Sequence, residues 1–264
     1  MNQNKFSQKS WRYAKTGLSH ALIILMLSVG FACSRNPEKT KEADKAYTPK
    51  VLIKKRDDGT LSSVNQIDEN GIVHGIRETY YADGKTKNSR IIFNHGMKNG
   101  PSIKYYMNGQ IFRESTYVDG KKQGQEMKYY KDGKTMSELN YKDDRPLPGL
   151  KEYTMEGALI TTYPDVEFKE IDKLESRNKI EVEMICSRKS SGVNFYILSH
   201  KNGKTSRVYL ITERGKASLE FYILPGRKLD KKIDILVEIP TDLGNTLVRE
   251  LSYHLIAENV EKGQ

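Results

Sequence analysis

Between residues 75 and 157 short β-favouring runs alternate with polar turns on a regular beat. Gly75 leads to Tyr80-Tyr81-Ala82-Asp83-Gly84, Gly100 to Tyr105-Tyr106-Met107-Asn108-Gly109, and Gly124 to Tyr129-Tyr130-Lys131-Asp132-Gly133. A worn copy runs from Gly149 to Tyr153-Thr154-Met155-Glu156-Gly157. The leading glycines lie 25, 24 and 25 residues apart, and self-similarity at a fixed period marks a repeat architecture. Asp-Gly and Asn-Gly supply the positive φ angles of a tight hairpin turn. A second run then reaches an aromatic residue and another turn, as from Gln110 to Tyr117 and Asp119-Gly120, or from Lys134 to Tyr141 and Asp143-Asp144. The first copy carries one inserted residue before Phe93 and His95-Gly96, and a half-copy runs from Asp58-Gly59 to Asn70-Gly71.

Two strands and two turns per period predict a running antiparallel meander over residues 51–164. Adjacent strand residues point to opposite faces, so Tyr80, Tyr105 and Tyr129 are expected on one face and Tyr81, Tyr106 and Tyr130 on the other. Each repeat is too small to hide its own apolar side, so neighbours must cover one another. The tyrosines have two readings. They are ladder residues that pack across strands, or Tyr81, Tyr106 and Tyr130, with Lys104 and Lys128, form an aromatic, lysine-flanked platform for a protein or glycan partner.

After Tyr163-Pro164 the period is lost and the alternation changes scale. Seven strands are expected, at about 166–171, 179–186, 192–200, 205–212, 216–224, 232–239 and 246–257. Ile180, Val182, Met184 and Cys186 alternate cleanly, as do Ile233, Ile235, Val237 and Ile239. Turn signals fall at Asn202-Gly203, Arg214-Gly215, Pro225-Gly226 and Leu243-Gly244-Asn245. Short strands at this spacing argue a β-sandwich over residues 165–264. The fold class is therefore all-β: an antiparallel repeat meander followed by a sandwich.

Two resemblances refine this. The Gly-x4-Tyr-Tyr-x2-Gly spacing, over roughly residues 56–163, resembles the MORN-repeat variant family, whose bacterial members are often described as YwqK-type antitoxins. Where many members carry a tryptophan two places after the leading glycine, this chain has Arg77, Ser102 and Glu126. Ser191-Gly192-Val193 and Asp242-Leu243-Gly244-Asn245 resemble strand-entry and corner motifs of bacterial Ig-like domains. That resemblance implies structural roles for Asp242, Gly244 and Asn245.

Composition changes the picture mainly at the N-terminus. Lys5, Lys9, Arg12 and Lys15 precede an apolar run, Ala21 to Ala32, which ends on Cys33. The run is short for a membrane span and resembles a bacterial lipoprotein signal. That resemblance implies removal of residues 1–32 and acylation of Cys33, with palmitate among the added chains. An ordinary cleaved signal or an uncleaved anchor are the alternatives. Residues 33–50, dense in mixed charge, read as a disordered tether. Losing the four N-terminal basic residues leaves 40 Lys and Arg against 34 acids, a mild and interspersed charge that does not suggest a nucleic-acid groove. Only Cys186 then remains of two cysteines; it reads as a core residue, and packing must hold the fold without a disulfide.

No constellation for catalysis, cofactor binding or metal ligation emerges. His74 and His95 sit beside turn glycines, His200 and His254 at strand positions, and Asp68-Glu69-Asn70-Gly71 lacks the rest of a calcium loop. The expectation is a non-enzymatic, lipid-anchored protein of a bacterial cell envelope, at the outer membrane or cell surface ahead of the inner membrane, binding another macromolecule through its repeat sheet. The alternative is an antitoxin-like or immunity protein that neutralises a toxin acting in the envelope.

Overall fold

The computed structural model describes residues 48–261. The expected signal segment, Cys33 and nearly all of the expected tether lie outside the described residues. What is described is almost wholly antiparallel β-structure.

The repeats build one eleven-stranded sheet. Its strands are β1 (Lys50–Lys55), β2 (Leu61–Ile67), β3 (Val73–Tyr80), β4 (Lys87–Asn94), β5 (Met97–Tyr105), β6 (Ile111–Val118), β7 (Lys121–Lys122), β8 (Gly124–Tyr129), β9 (Thr135–Lys142), β10 (Arg145–Pro146) and β11 (Lys151–Glu152). The spatial order follows the chain, β1-β2-β3-β4-β5-β6-β8-β9-β10, with β7 beside β6 and β11 beside β9. Register is set by the period. Gly75 lies opposite Phe93, Gly100 opposite Tyr117 and Gly124 opposite Tyr141. Each leading glycine thus faces the aromatic residue that ends the following strand. At Gly75 φ is +98° and a Cβ would lie 2.2 Å from the Gln66 side-chain oxygen. That oxygen accepts the Ile76 N–H at 2.6 Å, so it is held in place and only glycine fits.

The two turns of each repeat differ, which corrects the expectation that both residues of every Asp-Gly or Asn-Gly pair take positive φ. At the Tyr-Tyr end the loop has three residues. The Gly109 N–H donates to the Tyr106 carbonyl and the Tyr106 N–H to the Gln110 carbonyl. Only Gly109 has positive φ, +84°, and the Asn108 side-chain oxygen accepts the Gln110 N–H. This is a type I turn closed by a glycine bulge. At the opposite end the loop has two residues, both left-handed: His95-Gly96, Asp119-Gly120 and Asp143-Asp144. These are mirror-image turns whose twist matches the flanking strands. The same side chain, aspartate, serves both types because the number of loop residues decides which conformation it takes.

The second part is a sandwich of two sheets. One contains β12 (Val166–Lys173), β13 (Lys179–Cys186) and β16 (Lys216–Tyr222), in the order β12-β13-β16. The other contains β14 (Asn194–Lys201), β15 (Lys204–Leu210), β17 (Arg227–Pro240) and β18 (Thr246–Asn259), in the order β15-β14-β17-β18. A single helical turn, α1 (Leu174–Arg177), joins β12 to β13. Each of the seven expected strands is present. The largest difference is that β17 runs 14 residues, starting at Arg227 rather than near 232; β18, also 14 residues, extends the expected strand by two. Their outer halves pair Arg227 with Asn259 through Lys232 with His254, in a stretch too polar to show alternation.

Met184, Cys186, Val193, Phe195, Ile235, Val237 and Ile239 are all at most 1% exposed and form the main core. Leu139 and Leu150 of the repeat sheet join the same cluster. Further from the sandwich the repeat sheet has no comparable core. Among residues 48–116 the buried side chains are Ser63, Asn65, Asp68 and Ser115, none of them apolar. This part is a single layer, half-exposed on both faces.

Candidate functional site

A single-layer sheet must be held by cross-strand and inter-repeat contacts, and those contacts occupy much of the expected platform. Tyr81, Tyr106 and Tyr130 make the same bond in succession. Their hydroxyls donate to the carbonyls of Tyr105, Tyr129 and Tyr153 at 2.6, 2.7 and 2.7 Å. Each second tyrosine therefore grips the first tyrosine of the next repeat. The first tyrosines use their hydroxyls differently. Tyr80 donates to Glu78, Tyr129 to Glu114 and Tyr153 to Glu138. Tyr105 has Arg90 at the offset where Tyr129 and Tyr153 find a glutamate, and its hydroxyl makes no such bond. Burial and the Glu114 carboxylate push the Tyr129 phenol up to about 12.

The opposite margin is stapled through the backbone. The second residue of each two-residue turn donates its N–H one repeat back: Gly96 to the Val73 carbonyl, Gly120 to Lys98 and Asp144 to Lys122. Two lysines, each two places before a leading glycine, lie over the aromatics that face those glycines. Lys98 sits 4.7 Å from the Tyr117 ring centre and Lys122 4.0 Å from that of Tyr141. Such contacts contribute about 0.5–2 kcal/mol each, more where they are desolvated. Sequence reasoning passed over these lysines, although their 24-residue spacing repeats as regularly as the tyrosines.

Of the two expected platform lysines, one is at the surface. Lys104 is exposed, its ammonium 5.9 Å from the Phe112 ring centre. Lys128 is only 7% exposed and donates to the Gly244 carbonyl of the sandwich at 2.9 Å. Burial lowers its ammonium below the usual lysine range, partly opposed by the Glu126 carboxylate. The structure thus separates the proposed set. Strand alternation puts Lys128 beside Ser137, on the face the sandwich covers. Alternation shows which residues share a face, not which face is covered.

Beside Leu139, that covered face also carries buried polar groups. Glu126, at one of the tryptophan positions, is 2% exposed. It accepts Lys122 at 2.6 Å and the Ser115 hydroxyl at 2.8 Å, with Arg113 3.7 Å away. Glu152, also 2% exposed, accepts the Thr241 hydroxyl and the Asn245 amide, each at 2.6 Å. The corner implicated by Asp242, Gly244 and Asn245 is therefore a docking point for the repeat sheet as well as a turn.

Elsewhere, the rings of His74 and His95 meet at a tilt of 59° with centres 4.6 Å apart, and His95 lies 3.4 Å from the Asp68 carboxylate. Burial raises the Asp68 pKa, but the Ile72 and Asn70 N–H groups and His95 outweigh it, so the net shift is downward. Among the described residues no group of three or more His, Cys, Asp or Glu is arranged to hold a metal. Cys186 is a buried free thiol.

Against this geometry, residues 98–119 and 122–143 each match the MORN repeat variant. Each match begins at a ring-capping lysine, contains one Tyr-Tyr turn and ends in a two-residue turn. The β3–β4 hairpin makes the same inter-repeat contacts outside the matched residues. MORN repeats are generally non-catalytic binding modules. No curated protein and no solved structure matches the chain.

Proposed function

We propose that this chain is a non-enzymatic, lipid-anchored envelope protein whose repeat sheet is an interaction scaffold for a protein partner. The observation that carries the reading is the single-layer sheet. Its first six strands bury no apolar side chain before Tyr117, so both faces meet solvent along a rigid span stapled at both margins. A sheet with no core of its own to cover is free to present its faces, and the two MORN matches support a binding role. Lys104 is exposed, and Tyr81, Tyr106 and Tyr130 stay half-exposed even though their hydroxyls are engaged. In this reading Cys33 carries the lipid. The sandwich, ordered β12-β13-β16 against β15-β14-β17-β18, is of Ig-like type and serves as the terminal cap that repeat arrays need.

A photo-crosslinking residue at position 104 of the full chain, compared with one at Lys228 on the sandwich, tests the scaffold. In cells the reading expects one discrete adduct from position 104 and none from 228. No adduct, or the same adducts from both positions, would count against it. Metabolic labelling with an alkyne fatty acid should mark the wild-type chain and not Cys33→Ala; an unlabelled wild type removes the anchor.

A further inference from the structure

A charged cleft lies where the two-residue-turn margin of the repeat sheet meets the four-stranded sheet of the sandwich. Its volume is about 680 Å³. Lys121, Lys142, Asp143 and Arg145 line it from the repeat sheet, and Thr205, Arg207 and Glu250 from the sandwich. Leu147 and Leu198, both half-buried, supply apolar surface. Arg207 is held by Glu238 at 3.4 Å and Asp143 by Gln123 at 3.2 Å. Lys121, Lys142, Arg145 and Glu250, by contrast, have no side-chain hydrogen bond or ion pair with any described residue.

A second cavity, about 380 Å³ beside Glu152 and Arg188, shows what a structural junction looks like here. Its charges are engaged: Glu152 by Thr241 and Asn245, Arg188 by the Pro240 carbonyl and Asp242. The larger cleft is the reverse case. Lys121, Lys142 and Arg145 line it with no side-chain partner. Of the two carboxylates that also line it, Asp143 is engaged by Gln123 and Glu250 alone is unpaired, so an entering anion meets an excess of positive charge. Pockets at module junctions with apolar walls and a few convergent polar groups are the usual form of small-ligand sites.

We propose that this cleft binds an anionic sugar, a pyranose bearing a carboxylate or a similar acidic group. The acidic group would meet Lys121, Lys142 and Arg145 in charge-assisted hydrogen bonds. The C–H face of the ring would lie on the leucines, and its hydroxyls would donate to Glu250 and exchange bonds with Thr205. A bare inorganic anion leaves the leucines and Glu250 unused, and a neutral hydrocarbon leaves three cations unmatched. The size suits one or two sugar units, free or at the end of a polymer. The inference is independent of the sheet's protein partner: crosslinking at position 104 can fail while this binding stands.

The test is calorimetric titration of the full chain with glucuronic acid, glucose and a glucuronic-acid tetrasaccharide. Glucuronate should bind saturably, glucose about tenfold more weakly or worse, and affinity should fall as sodium chloride rises. The double variant Lys142→Gln/Arg145→Gln should weaken glucuronate about tenfold, the loss expected for one or two charge-assisted bonds. Tighter binding of the tetrasaccharide identifies a glycan as the source, and equal binding identifies the free acid; both uphold the site. Glucose binding as well as glucuronate, the absence of saturable binding by all three, or an unchanged affinity in the double variant overturns it. Should that variant lose its cooperative melting transition, the salt dependence of the wild type decides: binding indifferent to salt refutes the proposal.

Discussion

The second tyrosine of each pair does for this sheet what a buried apolar side chain does elsewhere, because its hydroxyl bonds one repeat to the backbone of the next. Tyr106→Phe keeps the ring against Phe112, 5.0 Å between centres, and removes only the bond to the Tyr129 carbonyl. The expected cost is about 1 kcal/mol, the net worth of one neutral hydrogen bond. Tyr105→Phe is the control: its hydroxyl has no such partner, and the change should stay within about 0.5 kcal/mol. Urea midpoints at constant slope measure both, and equal effects would deny the ladder its role. Glu126 is the harsher case. Glu126→Ala strands Lys122 and Arg113 at a nearly buried site, with an expected loss of about 3 kcal/mol, the low end for breaking a buried pair because Lys122 keeps some water. A loss no larger than that of Tyr106→Phe would show that solvent already screens the cluster. Much of this was legible in sequence only as identity. The tyrosines could be named and paired from their period, but whether they grip a neighbour or face a partner depends on where a hydroxyl ends, which spacing does not encode. Lys128 shows the same limit, since the surface that buries it comes from Gly244, 116 residues away.

At the scale of elements, the strands followed from alternation and the turns from composition, but the turn types did not. Asp119-Gly120 and Asp132-Gly133 are the same dipeptide. In the first both φ angles are positive, and in the second only that of the glycine. The difference lies in the pairing of the flanking strands. The first residues of β17, from Arg227, were hidden for a related reason: outside the core, backbone pairing continues without any need for apolar side chains. Four tyrosines also share a titration behaviour. Burial, with carboxylates nearby, raises the phenols of Tyr129, Tyr141, Tyr163 and Tyr253 to about 12. Their pKa in the unfolded chain is about 10, so the folded state holds protons that the unfolded chain releases. The resulting stability is fully present below pH 10 and is lost as pH rises from about 10 to about 12. Phenolate absorbance should therefore rise in two stages, the later one coinciding with loss of the β-sheet circular dichroism signal. A single titration near pH 10 with the sheet intact would contradict these contacts. The fold is not expected to weaken between neutral pH and the start of this window on their account.

Over the whole molecule, burial is graded along the repeat sheet. From β1 to β5 every side chain of the single layer keeps contact with water except Ser63, Asn65 and Asp68. At β9 and β11, Ser137, Leu139 and Glu152 are at most 2% exposed beneath the sandwich. Opening free energies vary with such local burial, so the array should fray from its N-terminal end. Repeat stability is close to a sum of nearest-neighbour terms, which makes the sandwich the anchor from which protection declines. Amide hydrogen exchange should accordingly be fastest in β1 and β2, intermediate through β3–β6 and slowest in β8 and β9, with the sandwich core as slow or slower. Asn245→Ala separates docking from intrinsic sheet stability. It removes the amide that Glu152 accepts at 2.6 Å and leaves that carboxylate buried with one fewer donor, an expected loss of about 1–3 kcal/mol. Protection in β9 and β11 should fall while β1–β4 keep their wild-type rates. Uniform exchange along the wild-type array would mean that the staples at its two margins alone suffice to hold it. A fall in β1–β4 as large as that in β9 would show that the eleven strands open as one cooperative unit, with the sandwich bearing on all of them equally.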